Sequence, residues 1–298
     1  GDVYKYDHCL DFSANCNPLG TPQSVKQAII DSVEDLSDYP RVGCGPLKEA
    51  IADYEHTKKE YLICGNGAAD LIFSLSRALN PKKALLPAPT FAEYEQALVS
   101  VGCEISRYYL KEENDFCIQK DYPDVLDECF LDFVKDPEKH TLKGKLEKYS
   151  GLFILKAFTK RYAIPGVRLG YGFCSDGEVL DRMEVVTQPW NVSTMAQQAG
   201  MAALKEAEYV EAGRQIIFRE SAWMKEKMRQ VGLTVYPSEA NYIFFYGSED
   251  LFERCVAKGI LIRDCSNYPG LKKGYYRVAV KLHEQNEKLI EVLEEVLS

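Results

Sequence analysis

A chain of 298 residues, 46% of them hydrophobic, can bury a large core and carry a smaller unit beside it. Its net charge of −9 argues against nucleic acid or an anionic membrane as the main partner, so an anionic substrate has to be met by a local cluster of Arg and Lys. Ten scattered cysteines with no Cys-x-x-Cys pair point to reduced thiols, and four histidines (His8, His56, His140 and His283) without ligand spacing give no reason to expect a metal. No apolar run approaches the roughly twenty residues a spanning helix needs, and the start of the sequence lacks a basic-then-apolar signal. The expectation is a soluble, cytoplasmic protein.

Residues 10–20 are too rich in Asn, Pro and Gly for a helix and read as an extended arm. Thr21-Pro22 then opens an amphipathic helix with Val25, Ala28, Ile29 and Val33 on one face, ended by Asp38-Tyr39-Pro40. A second helix from about Pro46 carries Leu47, Ala50, Ile51 and Tyr54. Residues 61–64 read as a strand, Gly65-Asn66-Gly67 as a turn and Ala68-Ala69-Asp70 as a helix start with Leu71, Ile72, Leu75 and Leu79 on its buried face. The free N–H groups of such a helix start suit a phosphate, although a glycine turn before a helix is more often structural than functional.

Residues 83–86 are strand-like, a helix begins at about 91–94, residues 103–109 form the next strand, and 125–130 a further one through Asp127. Alternation of strands and helices predicts an α/β architecture with a largely parallel sheet, in which a ligand sits at the carboxyl ends of the strands. Helical periodicity from about Asp176 to Val231 is followed by strands at 233–236, 241–246, 260–263 and 275–280 and by helices at 251–258 and from His283, a small α+β unit. The expected division is a large α/β domain over 38–225, with 1–37 and 226–298 supplying the arm and the small domain.

Between these units lies the stretch with the most chemistry. Residues 152–155 read as a buried strand leading to Thr159-Lys160, and a Pro165-Gly166 turn brings Arg168 back on a second strand. A lysine at the end of a buried strand is partly desolvated, and a second cation beside it lowers its pKa further, which frees the amine to form a Schiff base. Arg168 can be that cation and can also hold a phosphate through its planar fork. An aldehyde that carries a phosphate is pyridoxal phosphate.

Lys160 with Tyr162-Ala163-Ile164-Pro165-Gly166 and Arg168-Leu169-Gly170-Tyr171 resembles the lysine segment of the fold-type I pyridoxal-phosphate enzymes, the class I/II aminotransferase superfamily. Asp11-Phe12-Ser13-Ala14-Asn15, Asn17-Pro18-Leu19-Gly20, Ile260-Leu261-Ile262-Arg263, Asn267-Tyr268-Pro269-Gly270-Leu271 and Tyr275-Tyr276-Arg277-Val278-Ala279 are most similar to its threonine-phosphate decarboxylase branch, with the histidinol-phosphate aminotransferases as the alternative. The resemblance implies pyridoxal 5′-phosphate bonded to Lys160, Asp127 at the pyridine nitrogen as the second catalytic residue, and Phe91 against the ring. The cofactor phosphate is implied to rest on Ala68, Ala69, Asp70, Thr159 and Arg168. A homodimer is implied as well, in which Tyr39 reaches the neighbouring subunit's cofactor phosphate.

For the substrate, a small phosphorylated amino acid, the resemblance implies Arg277 at the carboxylate, Arg263 at the phosphate and Asn15 on the arm closing over the site. The implied reaction is decarboxylation of L-threonine O-3-phosphate to 1-aminopropan-2-yl phosphate for cobalamin biosynthesis. Transamination of the histidinol-phosphate type, action on phosphoserine and a non-catalytic cofactor-binding role are the alternatives. The sequence departs from the family at Ala157, where relatives have Ser or Thr, and at Phe130, where the aminotransferases have a tyrosine for the ring hydroxyl. The family's Asn-Pro-x-Asn-Pro-x-Gly motif is absent, and residues 121–125 run almost directly into Asp127. No room remains for the strand and helix expected before Asp127, which predicts a break with a missing segment between Lys120 and Asp127.

Overall fold

The computed structural model describes residues 4–118 and 124–298. The arm contributes a two-residue strand, β1 (Leu10–Asp11), before helices α1 (Gln23–Asp31) and α2 (Gly45–Glu55). Next come β2 (Leu62–Gly65), α3 (Ala68–Leu79), β3 (Lys83–Ala88), α4 (Ala92–Ser100), β4 (Glu104–Tyr109) and β5 (Val125–Asp127). β6 (Phe153–Ala157) runs straight into the single-turn helix α5 (Phe158–Arg161), and β7 (Gly170–Phe173) precedes α6 (Gly177–Val186), α7 (Thr194–Ala203) and the long α8 (Ala207–Gln230). The chain ends with β8 (Thr234–Val235), β9 (Tyr242–Tyr246), α9 (Leu251–Ala257), β10 (Ile260–Leu261), β11 (Arg263–Asp264), β12 (Tyr275–Ala279) and α10 (His283–Leu297).

The sheet that carries the lysine has the order β2-β7-β6-β5. β5 and β6 are parallel and β7 alone is reversed, antiparallel to both β6 and β2, so β2, β6 and β5 run the same way and the sheet is largely parallel as expected. The chain returns from β6 through the Pro165-Gly166 turn without a full crossover helix, and a strand reached that way runs antiparallel. β6 is buried along its whole length. Phe153, Leu155 and Ala157 join a core with Leu71, Leu75, Val179 and Met183 of α3 and α6, while Ile154 joins another with Leu47, Ile51 and Ala199 of α2 and α7. Each such Leu or Ile stabilises the fold by about 1.5–3 kcal/mol, so the strand before the lysine is a rigid base.

The remaining strands of this part, β3 and β4, form a separate parallel pair. Among the described residues β5 has β6 on one edge and no strand on the other, and β3 has β4 alone. Val125 and Leu85 on these two strands are 39% and 49% exposed, unusual for apolar residues of an α/β sheet, whose strands are normally covered on both faces. The expected break between Lys120 and Asp127 involves residues 119–123, which lie outside the described residues.

The second sheet, β11-β12-β9-β8, is antiparallel throughout. Its core of Ile243, Phe245, Val278, Leu289 and Leu293 also takes Phe12 from the arm. Residues 260–263, expected as one strand, divide between two partners: β10 pairs with β1 and β11 with β12. α8 connects the two cores, with Val210 in the first and Met224 and Met228 in the second. No helix of the described residues is long and apolar enough to cross a membrane.

Candidate active site

Lys160 sits half-buried in α5, one turn beyond the end of β6. The arm straps this turn from outside. The Asn17 N–H donates to the Lys160 carbonyl at 2.9 Å, the Asn17 amide to the Arg161 carbonyl at 3.1 Å, and the Thr21 hydroxyl to the Ala163 carbonyl at 2.7 Å.

From inside, the turn rests on a buried ionic network that sequence reasoning missed. Glu55 of α2 accepts from Lys156 of β6 at 2.9 Å, from Lys143 at 2.9 Å and from the Tyr171 hydroxyl at 2.6 Å. Asp132 lies 3.2 Å from the Arg161 guanidinium and 3.7 Å from the Lys156 amine. Burial alone would push the Glu55 carboxyl up, but Lys156, Lys143 and the hydrogen bonds outweigh it and hold the group below the usual carboxylate range. Asp132 goes the other way: burial, only partly offset by Lys156, raises its pKa. The one available signal was Lys156 itself, a charge at an inward position of an otherwise apolar strand, where an unpaired ion would be very costly.

Arg168 comes after the strand turn, not on the returning strand as expected. It occupies the left-handed region at φ 58° two residues before β7, and its side chain is exposed. The guanidinium lies against the start of α3: a Cβ on Gly67 (φ 80°) would fall 2.4 Å from Arg168 Nη2. A Cβ on Gly170 would fall 2.6 Å from the Ala68 nitrogen, so two absent side chains let the arginine and the helix start meet. The first N–H groups of α3, at Ala68 and Ala69, have no partner within the helix, and with the positive end of the helix dipole and the guanidinium they give this corner a chemistry that suits an anion such as a phosphate. The Asp70 carboxylate turns away from it, accepting from the Asn66 N–H and the Asn191 amide, both at 2.9 Å, so Asp70 can offer the cradle only its backbone N–H. Thr159 is half-buried in the same turn as Lys160.

Asp127 ends β5 and is exposed. Its Oδ1 accepts from the Cys129 N–H at 2.8 Å, which turns the chain and ends the strand earlier than expected, and its Oδ2 accepts from the Tyr94 hydroxyl at 2.7 Å. Phe91, also exposed, packs edge-on to Tyr94 with ring centres 6.3 Å apart. A cavity beside Phe91 is shared with Asn267, Tyr268 and Pro269.

Arg263 and Arg277 stand directly opposite each other in the β11–β12 register. Two like charges in that position repel, and among the described residues neither has a carboxylate within 4.0 Å. Arg263 donates to the Asn267 side-chain oxygen at 3.1 Å and lies over Tyr268; Arg277 donates to the Ser13 carbonyl at 3.3 Å and lies over Tyr242. Tyr242 touches Phe130, three residues from Asp127, with ring centres 5.8 Å apart. Three residues of arm lie between Ser13 at Arg277 and Asn17 at Lys160, four steps of chain with a reach of at most about 14 Å. The arginines, the lysine and the aspartate therefore share one region.

Two residues stand differently. Asn15 is 1% exposed, its amide donates to Asn241 at 3.3 Å, and its carbonyl accepts from Asn241 at 2.8 Å. Together with the Phe12 N–H donating to the Leu261 carbonyl and the Ala279 N–H donating to the Phe12 carbonyl, this fixes the arm in place, with Asn15 between Ser13 at Arg277 and Asn17 at Lys160. Tyr39 is 79% exposed, stacked on Trp190 at 4.7 Å.

The chain is 35% identical to the threonine-phosphate decarboxylase of Salmonella typhimurium over 337 aligned positions, covering 98% of this chain and 92% of the relative. It is 27% identical to a histidinol-phosphate aminotransferase of Brevibacillus brevis, covering 97% and 90%. The crystal structure of the histidinol-phosphate aminotransferase from Clostridium acetobutylicum superposes with a TM-score of 0.89 at 28% identity, over 97% of this chain and 99% of that one. The 337 positions exceed the 298 residues of this chain, so the relative has positions without a counterpart here. A family model, that of aminotransferase class I and II, is matched in two stretches, 7–123 and 119–293, which meet just before β5. With nearly all of its length accounted for in order by the two overlapping stretches, the chain belongs to the aminotransferase class I and II family.

Proposed function

We propose that the protein is a pyridoxal-phosphate enzyme that decarboxylates L-threonine O-3-phosphate to 1-aminopropan-2-yl phosphate. The observation that carries this is the pair Arg263 and Arg277, opposite each other and without carboxylate partners among the described residues. Such a pair suits a ligand with two anionic groups, here a phosphate on Arg263 and a carboxylate on Arg277. When bound, the cofactor supplies an electron sink for the pair left behind as a bond to the substrate α-carbon breaks.

The chain's own groups do the rest. Lys160 Nζ would hold the cofactor and, once released, could carry a proton. Asp127 would hold the ring nitrogen in its protonated form, and Phe91 would cover the ring. Ala68, Ala69, Asp70 through its N–H, Thr159 and Arg168 would hold the phosphate by hydrogen bonds to a dianion. Arg277, by gripping the substrate carboxylate, would set which bond at the α-carbon is presented for cleavage. The 35% identity to a threonine-phosphate decarboxylase supports loss of the carboxylate over transfer of the amine.

The exposed apolar side chains of Ile30, Val33, Leu36, Tyr39 and Val42 along one stretch of chain, with Tyr39 against Trp190, support a homodimer in which Tyr39 completes the neighbouring subunit's phosphate site. Ten free cysteines support a reducing, cytoplasmic setting. The test is incubation of the loaded protein with phosphothreonine, phosphoserine and histidinol phosphate while CO2 and keto products are followed. CO2 from phosphothreonine is expected; a keto product from histidinol phosphate would establish the aminotransferase instead. Phosphoserine is expected to react too, because the missing methyl is worth only about 1–3 kcal/mol.

A further inference from the structure

The residue next to the lysine is a buried arginine. Arg161 is 3% exposed, its guanidinium lies over the rings of Tyr54 and Tyr162 at 4.6 and 5.1 Å, and its Nη1 is 3.2 Å from Asp132 Oδ1. Its Nε has no hydrogen-bond partner among the described residues. Such a pair is costly to bury and adds little net stability, so what it supplies is a fixed geometry. Asp132 is held from the far side, where Nε and Nη2 of Arg214 in α8 both donate to its carbonyl at 3.1 Å. It stands five residues after Asp127, on a segment tied to β6 by the Glu128 N–H donating to the Leu155 carbonyl at 2.8 Å. Phe130 of the same segment packs on Tyr242, the ring under Arg277. One short run of chain, residues 127–133, therefore touches the aspartate, the ring beneath the arginine and the lysine turn.

We propose that Arg161 is a positioning residue: its pair with Asp132 holds the α5 turn in register with the 127–133 segment, and so sets where the Lys160 amine stands relative to the cofactor. The arm's bonds from Asn17 and Thr21 reach only backbone carbonyls of this turn, and Arg161 is the one side chain of α5 with an ion pair among the described residues. A lysine held in place meets an aldehyde without a search, which is a gain in the rate of bonding and not in the strength of binding. The inference rests on the reading of Lys160 as the lysine that bonds the cofactor.

The experiment starts from full-length protein freed of cofactor, adds pyridoxal phosphate at saturation and stops samples with borohydride, so that mass mapping gives the rate at which cofactor is fixed to Lys160. Pyridoxamine phosphate, which has the ring and the phosphate but no aldehyde, measures binding alone. Arg161→Met is expected to slow fixation about tenfold to a hundredfold, the cost of misplacing a reacting atom by up to about 1 Å, while pyridoxamine phosphate binds as to the wild type. Arg161→Lys, which keeps a cation at Asp132, is expected to recover part of the rate. Fixation at the wild-type rate in Arg161→Met, whatever its thermal midpoint, would make the pair structural only and overturn the proposal; a rate restored by more cofactor would be a loss of binding and overturn it too. Fixation at another lysine in the wild type would overturn the reading of Lys160 and the proposal with it. Should Arg161→Met not fold, the double variant Arg161→Met with Asp132→Asn, which leaves neither partner's charge behind, decides: a slow rate there supports the proposal and a wild-type rate overturns it.

Discussion

Replacing Lys160 with Ala removes the only amine in the α5 turn, and the expected result is loss of turnover together with loss of the borohydride-fixed cofactor. Mass mapping of the reduced protein checks it, since cofactor fixed at another lysine would move the site elsewhere. Arg263→Gln and Arg277→Gln each remove charge-assisted hydrogen bonds, worth about 1.5–3 kcal/mol. Each is expected to raise KM for phosphothreonine about tenfold to a hundredfold while leaving cofactor absorbance unchanged; normal KM in both would locate the anion pocket elsewhere. At this scale the lysine was legible because its signal is local: a buried strand, a hydroxyl, and a Pro-Gly turn in one run of residues. Tyr94 was not, because its bond to Asp127 spans 33 positions and a Tyr in an amphipathic helix looks like packing. The left-handed Arg168 was not legible either, since an arginine before a strand carries no mark of positive φ.

Elements rather than single residues decide how rigidly α5 is held. Glu55, Lys156, Lys143, Asp132 and Arg161 join α2, β6, α5 and the loop after β5. Glu55→Leu would leave Lys156 without its nearest carboxylate inside the core, and breaking a buried pair this way costs about 3–5 kcal/mol. Chemical denaturation checks that figure, and the double variant Glu55→Leu with Lys156→Met is expected to recover much of the loss. The strand was readable in the sequence, but its ionic partner, on a helix 101 residues earlier, was not. The split of residues 260–263 has the same cause: periodicity shows extended backbone and does not say which neighbour each half pairs with.

A pH effect belongs to the α8–α10 contact. His283 lies 2.9 Å from the buried Glu220 with its ring tilted against Trp223, and its hydrogen bond to Glu220 raises its pKa. Burial would raise the Glu220 carboxyl, but the bonds from His283, Arg219 and Asn286 outweigh it and lower its pKa. A raised histidine contributes stability that is complete below its unfolded value and lost as pH rises through its folded value; a lowered carboxyl contributes stability that is lost as pH falls through its folded value. The contact is therefore strongest between the ordinary Glu and His ranges and weakens above neutrality. The thermal midpoint is expected to fall between about pH 6 and 8, and His283→Gln to flatten that fall. An equally steep profile in the variant would assign the dependence to other groups.

At the scale of the whole molecule, the apolar side chains near Tyr39 are exposed, and among the described residues β3 and β5 each have a strand on one edge only. If Tyr39 acts across a homodimer, mixing Tyr39→Phe chains with Lys160→Ala chains yields one normal site per mixed dimer, and activity should rise above either parent; no rise would confine Tyr39 to its own subunit. The sequence before Asp127 is short for the long crossover that two parallel strands need, and the break expected there falls on residues outside the described ones. The most direct test of the central claim follows the fate of one carbon. Phosphothreonine labelled at its carboxyl carbon is given to the loaded protein and the products are followed by NMR. The label should leave as CO2 and bicarbonate while a phosphorylated amine retains the nitrogen; label retained in a phosphorylated keto acid would contradict decarboxylation.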